Sequence, residues 1–387
     1  MNCSAGIQMI KARSYIDGKP VSIDISGDRI SRVEQSPPDA DNPEIYVAPG
    51  LVDIQVNGYM GVDFADTDLT VEKMRSVTKA LWKEGVTSYL PTLISAGTES
   101  LIKSLSVLSF ASEDTSTGIS IPGFHLEGPY ISPECGFRGA HLEKYIRKPD
   151  WNEFLKLHAA SKNRIKIVTL APEMPGATFF IEKCVSEGIT AALGHHNGNA
   201  SEIAKAADAG AALSTHLGNG CANTIDRHNN PLWPQLADDR LAISIIADGF
   251  HLTREEILSF YRIKGPGNTV LVSDTVDLAG LAPGEYRRGE RSVLLTGDAV
   301  TFPSEGVLAG ATSPLVNDVS NMIKTSKCSL AEAVQMASTN PARLAGLNDR
   351  GEIKAGKRAD LILFTMEDEK ILIQKTIVAG TEVYPGS

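Results

Sequence analysis

The architecture this sequence predicts is a (β/α)8 TIM barrel, an α/β fold, with a small β-sandwich domain formed from both chain termini. Three observations carry that expectation. Short apolar runs alternate with helical patterns through the middle of the chain, both ends read as β-strand, and no glycine-rich phosphate loop follows the first apolar run, as a doubly wound sheet would usually show. The chain has 387 residues, 42% hydrophobic and 22% charged. That length suits one barrel of up to ~250 residues plus a smaller companion. The expected division assigns 1–49 and 348–387 to the small domain and 50–347 to the barrel.

From Ala5 to Val47 apolar and polar side chains alternate, as in VSIDISGDRISRVEQ, with Gly27-Asp28 marking a hairpin turn. Eight strand-like runs follow: Leu51–Val56, Val86–Leu90, Ile119–Leu126, Ile165–Leu170, Ile189–Leu193, Ala212–Thr215, Ala242–Ala247 and Val270–Val272. Helical patterns such as TVEKMRSVTKALWKEG and NASEIAKAADAG fill most of the gaps, the second closing on glycine. After the eighth run, LAGLAPGEYRRGERSVLLTGDAVTFPSEG has hairpin character and reads as an excursion. The last stretch, KRADLILFTMEDEKILIQKTIVAGTEVY, returns to short strands split by charged turns.

A formal net charge of −10 argues against a nucleic-acid partner, whose phosphates need clustered Lys and Arg. It leaves small anionic substrates open, because a few local cations can hold one phosphate. The five cysteines (Cys3, Cys135, Cys184, Cys221 and Cys328) are scattered, without a C-x-x-C pair, so no disulfide framework is expected. No run approaches the ~20 apolar residues of a membrane span, and the N-terminus lacks an apolar stretch of signal length. The expected setting is soluble and cytoplasmic.

The placement of the eight histidines is the informative feature. His125 and Glu127 end the third run, His195 and His196 the fifth, and His216 the sixth; Asp248 and His251 follow the seventh, and Asp274 ends the eighth. In a barrel these C-terminal strand ends meet at one mouth, where active sites are built. A carboxylate and two histidines from nearby strands suit a hydrolytic Zn²⁺ site, which takes about three protein ligands and keeps an open position for water. The ion lowers the pKa of that water towards ~7, and a carboxylate on another strand can take its proton. Asp274 suits that role; the TVDLAGLAPG that follows does not read as a helix for it to cap. His158, in WNEFLKLHAAS, reads as an ordinary helix residue.

In order along the chain, APGLVDIQVNG, LPTLIS, GFHLEGPYIS, LAPE, GHHNG, STHLGNG, IIADGFHL, SDTVDLAG and STNPARLAGL resemble the motifs of the N-acetylglucosamine-6-phosphate deacetylases, a family of the amidohydrolase superfamily. The resemblance spans nearly the whole chain, and HLEGP with ADG-x-H is its most specific part. It implies a barrel with a small sandwich, metal ligands at Glu127, His195 and His216, and a catalytic acid/base at Asp274. His141 matches the histidine that contacts the acyl carbonyl, while His251 and the backbone around Asn219 and Gly220 match sugar-phosphate contacts. The superfamily's two-metal members place H-x-H at the end of the first strand. Here Gln55 and Asn57 stand there, and amides are poor zinc ligands. One divalent metal ion per chain, zinc or iron, is therefore expected. The resemblance also implies a homodimer acting on a small-molecule amino-sugar, with no membrane or nucleic-acid partner.

The departures bear on substrate. Where the family usually reads T-H-x-aromatic-N-A-M and later R-E-P-G, this chain has THLGNGCANTIDRHNNPLW, with Gly218, Gly220 and Cys221 at variable positions. Arg227 aligns with the phosphate-binding arginine and would make a bidentate clamp; a surface arginine is the equal alternative. His228 and His196 are candidate helpers, and Trp233 could stack on a sugar or anchor its loop. The expected reaction converts N-acetylglucosamine 6-phosphate to glucosamine 6-phosphate and acetate. Alternatives are another N-acyl amino sugar, such as N-acetylgalactosamine 6-phosphate or an unphosphorylated sugar, or a cyclic amide. A non-catalytic scaffold would be expected to lack ligands, and all four central residues are present.

Overall fold

A computed structural model of the chain describes residues 8–37, 44–288, 291–297, 299–303 and 307–386. Eight parallel strands lie side by side in chain order. They are Leu51–Val56, Val86–Leu93, Phe124–Glu127, Ile165–Leu170, Thr190–Leu193, Leu213–Ser214, Ala242–Ile245 and Thr269–Leu271. The ring closes at its mouth, where Asp274 N–H donates to Gln55 O at 3.0 Å and Asn57 N–H to Thr275 O at 2.8 Å. Its interior is filled by Val52, Ile54, Leu90, Ile167, Ala192, Leu213, Val270 and Val272, so it is a packed core rather than a pore.

The predicted helices form where their caps stand. Thr70 accepts from Lys73 N to start Val71–Lys83, and Asn199 with Glu202 makes a capping box for Ala200–Asp208. The third strand is shorter than its apolar run. Gly118–Ser120 turns as a 3₁₀ segment with Ile119 exposed, and Pro122 intervenes, so the strand begins only at Phe124. The second strand runs three residues further than its pattern suggested, to Leu93.

Both chain ends contribute to one seven-stranded sheet: Gln8–Ser14, Pro20–Ser26, Arg29–Gln35 and Tyr46–Pro49 from the front, Leu361–Glu367, Lys370–Val378 and Thr381–Tyr384 from the back. Arg358 ties this sheet to the barrel by donating to Asp360 and to Ser88 of the second barrel strand. The excursion after the eighth strand forms a four-stranded antiparallel sheet, Gly284–Arg288, Arg291–Thr296, Ala299–Phe302 and Val307–Ala311, around Val293, Leu295, Val300 and Phe302. Cys3 lies outside the described residues; Cys135, Cys184, Cys221 and Cys328 are free thiols. Among the described residues, no helix is long and apolar enough to cross a membrane.

Between the barrel and helix Leu315–Ser326 lie two carboxyl groups that the site does not use. Asp53 accepts from the amides of Gln55 and Ser273, yet burial pushes its pKa up to about 7. Asp318 is fully buried without a side-chain partner, and burial, then the charges of Asp248 and Asp53, raise it well above the usual carboxylate range. The folded state therefore holds Asp318 protonated at pH values where the unfolded chain has released that proton. Its contribution is intact below the unfolded pKa and is lost as pH rises towards the folded one. Asp318→Asn should match the wild type near pH 4 and be more stable at pH 8, by about 1 kcal/mol or more. Denaturant melts at the two pH values check this; an identical pH slope in both proteins would contradict it.

Candidate active site

Glu127 ends the third strand and is followed by Gly128, whose φ of 76° turns the chain away from the barrel. His195, His216 and Asp274 follow the fifth, sixth and eighth strands with φ of 53°, 31° and 48°. Non-glycine residues rarely hold such left-handed angles. Three at one mouth mark a place where neighbouring structure enforces strain.

The result is a tight cluster. Glu127 Oε1 lies 3.1 Å from His195 Nε2 and 2.9 Å from His216 Nε2, and the two imidazole nitrogens are 3.1 Å apart. His195 Nδ1–H donates to Phe137 O at 3.1 Å, because a carbonyl can only accept, so in the neutral ring Nε2 turns a lone pair towards Glu127. Lone pairs facing one another in a buried site repel unless positive charge lies between them. A four-coordinate ion with bonds of ~2.0–2.1 Å would hold its ligand atoms about 3.3 Å apart, close to the spacing observed. The donor set thus fits a divalent cation. The electrostatics agree in sign. Burial alone would raise Glu127, but positively charged imidazoles hydrogen-bonded to it, in the place an ion would take, hold it well below the usual range. Burial opposes charge on His216, yet Glu127 keeps its pKa raised.

His141 also offers a ring nitrogen within 4.8 Å of the donors of Glu127 and His195. Its Nδ1 accepts from the Ser95 amide at 3.3 Å and lies 2.8 Å from Ser95 Oγ. In the neutral ring the proton then sits on Nε2, which leaves that nitrogen a hydrogen-bond donor with no lone pair to offer an ion. Asp274 Oδ1 accepts from Asn57 Nδ2 at 2.7 Å. Burial, then the Glu127 charge, push its carboxyl up to about 6, against the opposing pull of His216, His251 and Asn57.

These groups line a pocket of about 500 Å³, within the range of small-molecule sites. Asn219, Gly220 and His251 line it too, and His251 Nδ1–H donates to Asp248 Oδ2 at 2.7 Å. Arg227 and His228 do not; both are exposed on the loop after His216. Among the described lining residues none is lysine or arginine, while Asp63 and Glu256 add acidic character. Trp233 is not placed to stack on a sugar, being 56% exposed and outside the pocket; it ties its loop by donating from Nε1–H to Arg227 O at 3.3 Å, though from an exposed position rather than as a buried anchor. His196 is buried and accepts from Gly198 N; burial pushes its pKa down to about 4, so it is neutral packing beside the site.

Sequence reasoning missed two features. Gln55 and Asn57 are working residues: Gln55 Nε2 donates to Glu127 Oε1 at 3.1 Å, and Asn57 to Asp274. The excursion sheet also supplies a pocket wall through Leu308, Ala309 and Gly310, apolar residues and a glycine with no chemical signature.

Three donors suited to a metal, beside a carboxylic acid at a barrel mouth, are the arrangement that metal-dependent hydrolysis requires. The chain matches the amidohydrolase family over residues 46–383. It is 31% identical to the N-acetylglucosamine-6-phosphate deacetylase of Bacillus subtilis over 362 residues, covering 92% of this chain and 89% of that protein. To the Homo sapiens enzyme of that name it is 32% identical, with 87% and 83% covered. Among solved structures, the Thermotoga maritima N-acetylglucosamine-6-phosphate deacetylase superposes with a TM-score of 0.87 at 30% identity, covering 98% and 100% of the two chains. A mutant Mycobacterium smegmatis enzyme in complex with N-acetyl-D-glucosamine 6-phosphate gives 0.88 at 27% identity, covering 98% and 99%. The chain belongs to the amidohydrolase superfamily and, within it, to the N-acetylglucosamine-6-phosphate deacetylase family.

The Asn57 bond favours the charged form of Asp274, so its loss raises that pKa. Asn57→Ala should shift the acid limb of the kcat/KM profile to higher pH. It should also lower kcat about tenfold, the worth of one hydrogen bond to a charged group. A pH–rate series at saturating metal measures both, and a superimposable profile would count against the assignment.

Proposed function

We propose that this enzyme hydrolyses the N-acetyl group of N-acetylglucosamine 6-phosphate, releasing glucosamine 6-phosphate and acetate. The observation that carries the reading is the convergence of Glu127, His195 and His216 beside Asp274 and His141 in one pocket, in a chain similar along most of its length to deacetylases of that substrate. Glu127, His195 and His216 would hold a single divalent ion, zinc or iron. When bound, it supplies Lewis acidity that polarises a carbonyl and makes water more acidic. Gln55 and Asn57 support one ion rather than two, since each spends its amide on a carboxylate.

His141 Nε2–H donates to the acyl oxygen and strengthens that bond as negative charge develops there. Asp274 accepts the proton of the attacking water. With a pKa near 6 it is ionised at neutral pH and can take that proton, and once protonated it is acidic enough to give it to the sugar nitrogen as the C–N bond breaks. Asn57 aims Asp274 throughout. Asn219, Gly220 and His251 would bind the sugar phosphate, with Arg227 reaching in from its loop. The proposal extends to a homodimer in the cytoplasm.

One observation favours a second reading, an N-acyl amino sugar without phosphate: among the described residues no lysine or arginine lines the pocket, and Asp63 and Glu256 do. Turnover with and without the 6-phosphate separates the two. Arg227→Ala should raise KM about tenfold for the phosphosugar and leave the unphosphorylated sugar untouched; unchanged KM for both removes Arg227 from the site. Asp274→Asn should lower kcat by about 10²-fold or more with metal still bound. Near-wild-type turnover in that variant would overturn the mechanism.

A further inference from the structure

One layer beneath the site, a chain of hydrogen bonds crosses the barrel core. His125 Nδ1 lies 3.0 Å from Ile54 O and its Nε2 2.8 Å from Thr169 Oγ1, which lies 2.8 Å from Thr215 Oγ1. The direction of every bond follows from the first. A carbonyl only accepts, so Nδ1 carries the hydrogen and Nε2 of the neutral ring accepts from the Thr169 hydroxyl. Thr169 Oγ1 then accepts from Thr215. All three side chains are buried.

The chain must also pass the fifth strand, and it does so at Gly194. A Cβ there would stand 2.7 Å from Thr169 Cγ2 and 2.9 Å from Thr215 Cβ. Glycine is what lets the two threonines meet across that strand. The members stand at fixed offsets from the site: Ile54 precedes Gln55, His125 lies two residues before Glu127, Gly194 precedes His195, and Thr215 precedes His216. The next residues along the same strands are the ligands and the amide that holds one of them. His195 and His216 keep left-handed backbone angles that their own sequence does not favour, so something below must fix the strand ends.

We propose that His125, with Thr169 and Thr215 and the gap at Gly194, is the positioning layer that sets the spacing of Glu127, His195 and His216 and thereby the affinity of the site for its metal ion. The inference rests on the metal-centre reading above. His125 touches neither metal nor substrate; it acts through the strand ends. Groups that support ligands from behind typically change metal affinity by roughly 10- to 100-fold when removed.

The test challenges the metal-loaded enzyme with graded chelator, reads bound metal by elemental analysis, and measures kcat and KM at saturating metal. His125→Leu and the near-isosteric Thr169→Val should each lose metal at roughly 10- to 100-fold lower chelator than the wild type. KM should change little beside that loss. His125→Gln, which keeps one donor and one acceptor, should recover most of the affinity, a rescue that lost packing alone would not give. If His125→Leu does not fold, Thr169→Val decides. Wild-type retention in Thr169→Val, or a His125→Gln variant no better than His125→Leu, overturns the proposal. A wild-type chain that takes up no metal defeats the metal reading itself and this inference with it.

Discussion

Three lone-pair donors held about 3 Å apart in a buried barrel mouth are the constraint on which the rest of this structure depends. Glu127, His195 and His216 could not keep that arrangement unaided, because burial strengthens repulsion between like partial charges. Their spacing makes sense only with positive charge among them. Around that requirement the fold supplies its means: strand ends that turn through left-handed angles, a carbonyl from Phe137 that fixes the His195 tautomer, and a ring closed by backbone bonds between Gln55 and Asp274.

The same constraint explains why Gln55 and Asn57 stand where histidines would bind a second ion. An amide donor answers a carboxylate without adding charge. In the proposed mechanism Gln55 leaves Glu127 an anion for a metal ion, and Asn57 leaves Asp274 free to exchange a proton. The charge of Glu127 then helps hold the Asp274 pKa near 6, so the proposed ligand and the proposed acid/base are tuned against each other across one pocket. Two carboxylates kept in different environments can thus take different roles.

Much of this was legible in the sequence, because strand ends in a barrel share one mouth and the residues there carry recognisable chemistry. Glu127, His195, His216 and Asp274 stand together as their placement at strand ends suggested, and His141 joins them as the family resemblance implied. Helices were readable from their caps, while the start of the third strand was not, since an apolar run does not show that Gly118–Ser120 turns and leaves Ile119 exposed. Periodicity says nothing about a loop's path, so the exposed position of Arg227 and of Trp233 needed coordinates. Nor could it give the wall from Leu308 to Gly310, whose residues touch the pocket only because the excursion sheet folds over it. The partners of Gln55 and Asn57 were hidden for a related reason: an amide's role depends on which carboxylate it meets across the barrel.

The account is tested most directly by titrating the metal-free chain with a divalent ion while following deacetylation of N-acetylglucosamine 6-phosphate. Activity should be absent at the start, climb in proportion to added metal, and level off at one equivalent per chain. Full activity without metal, or a rise that continues to two equivalents, would contradict it.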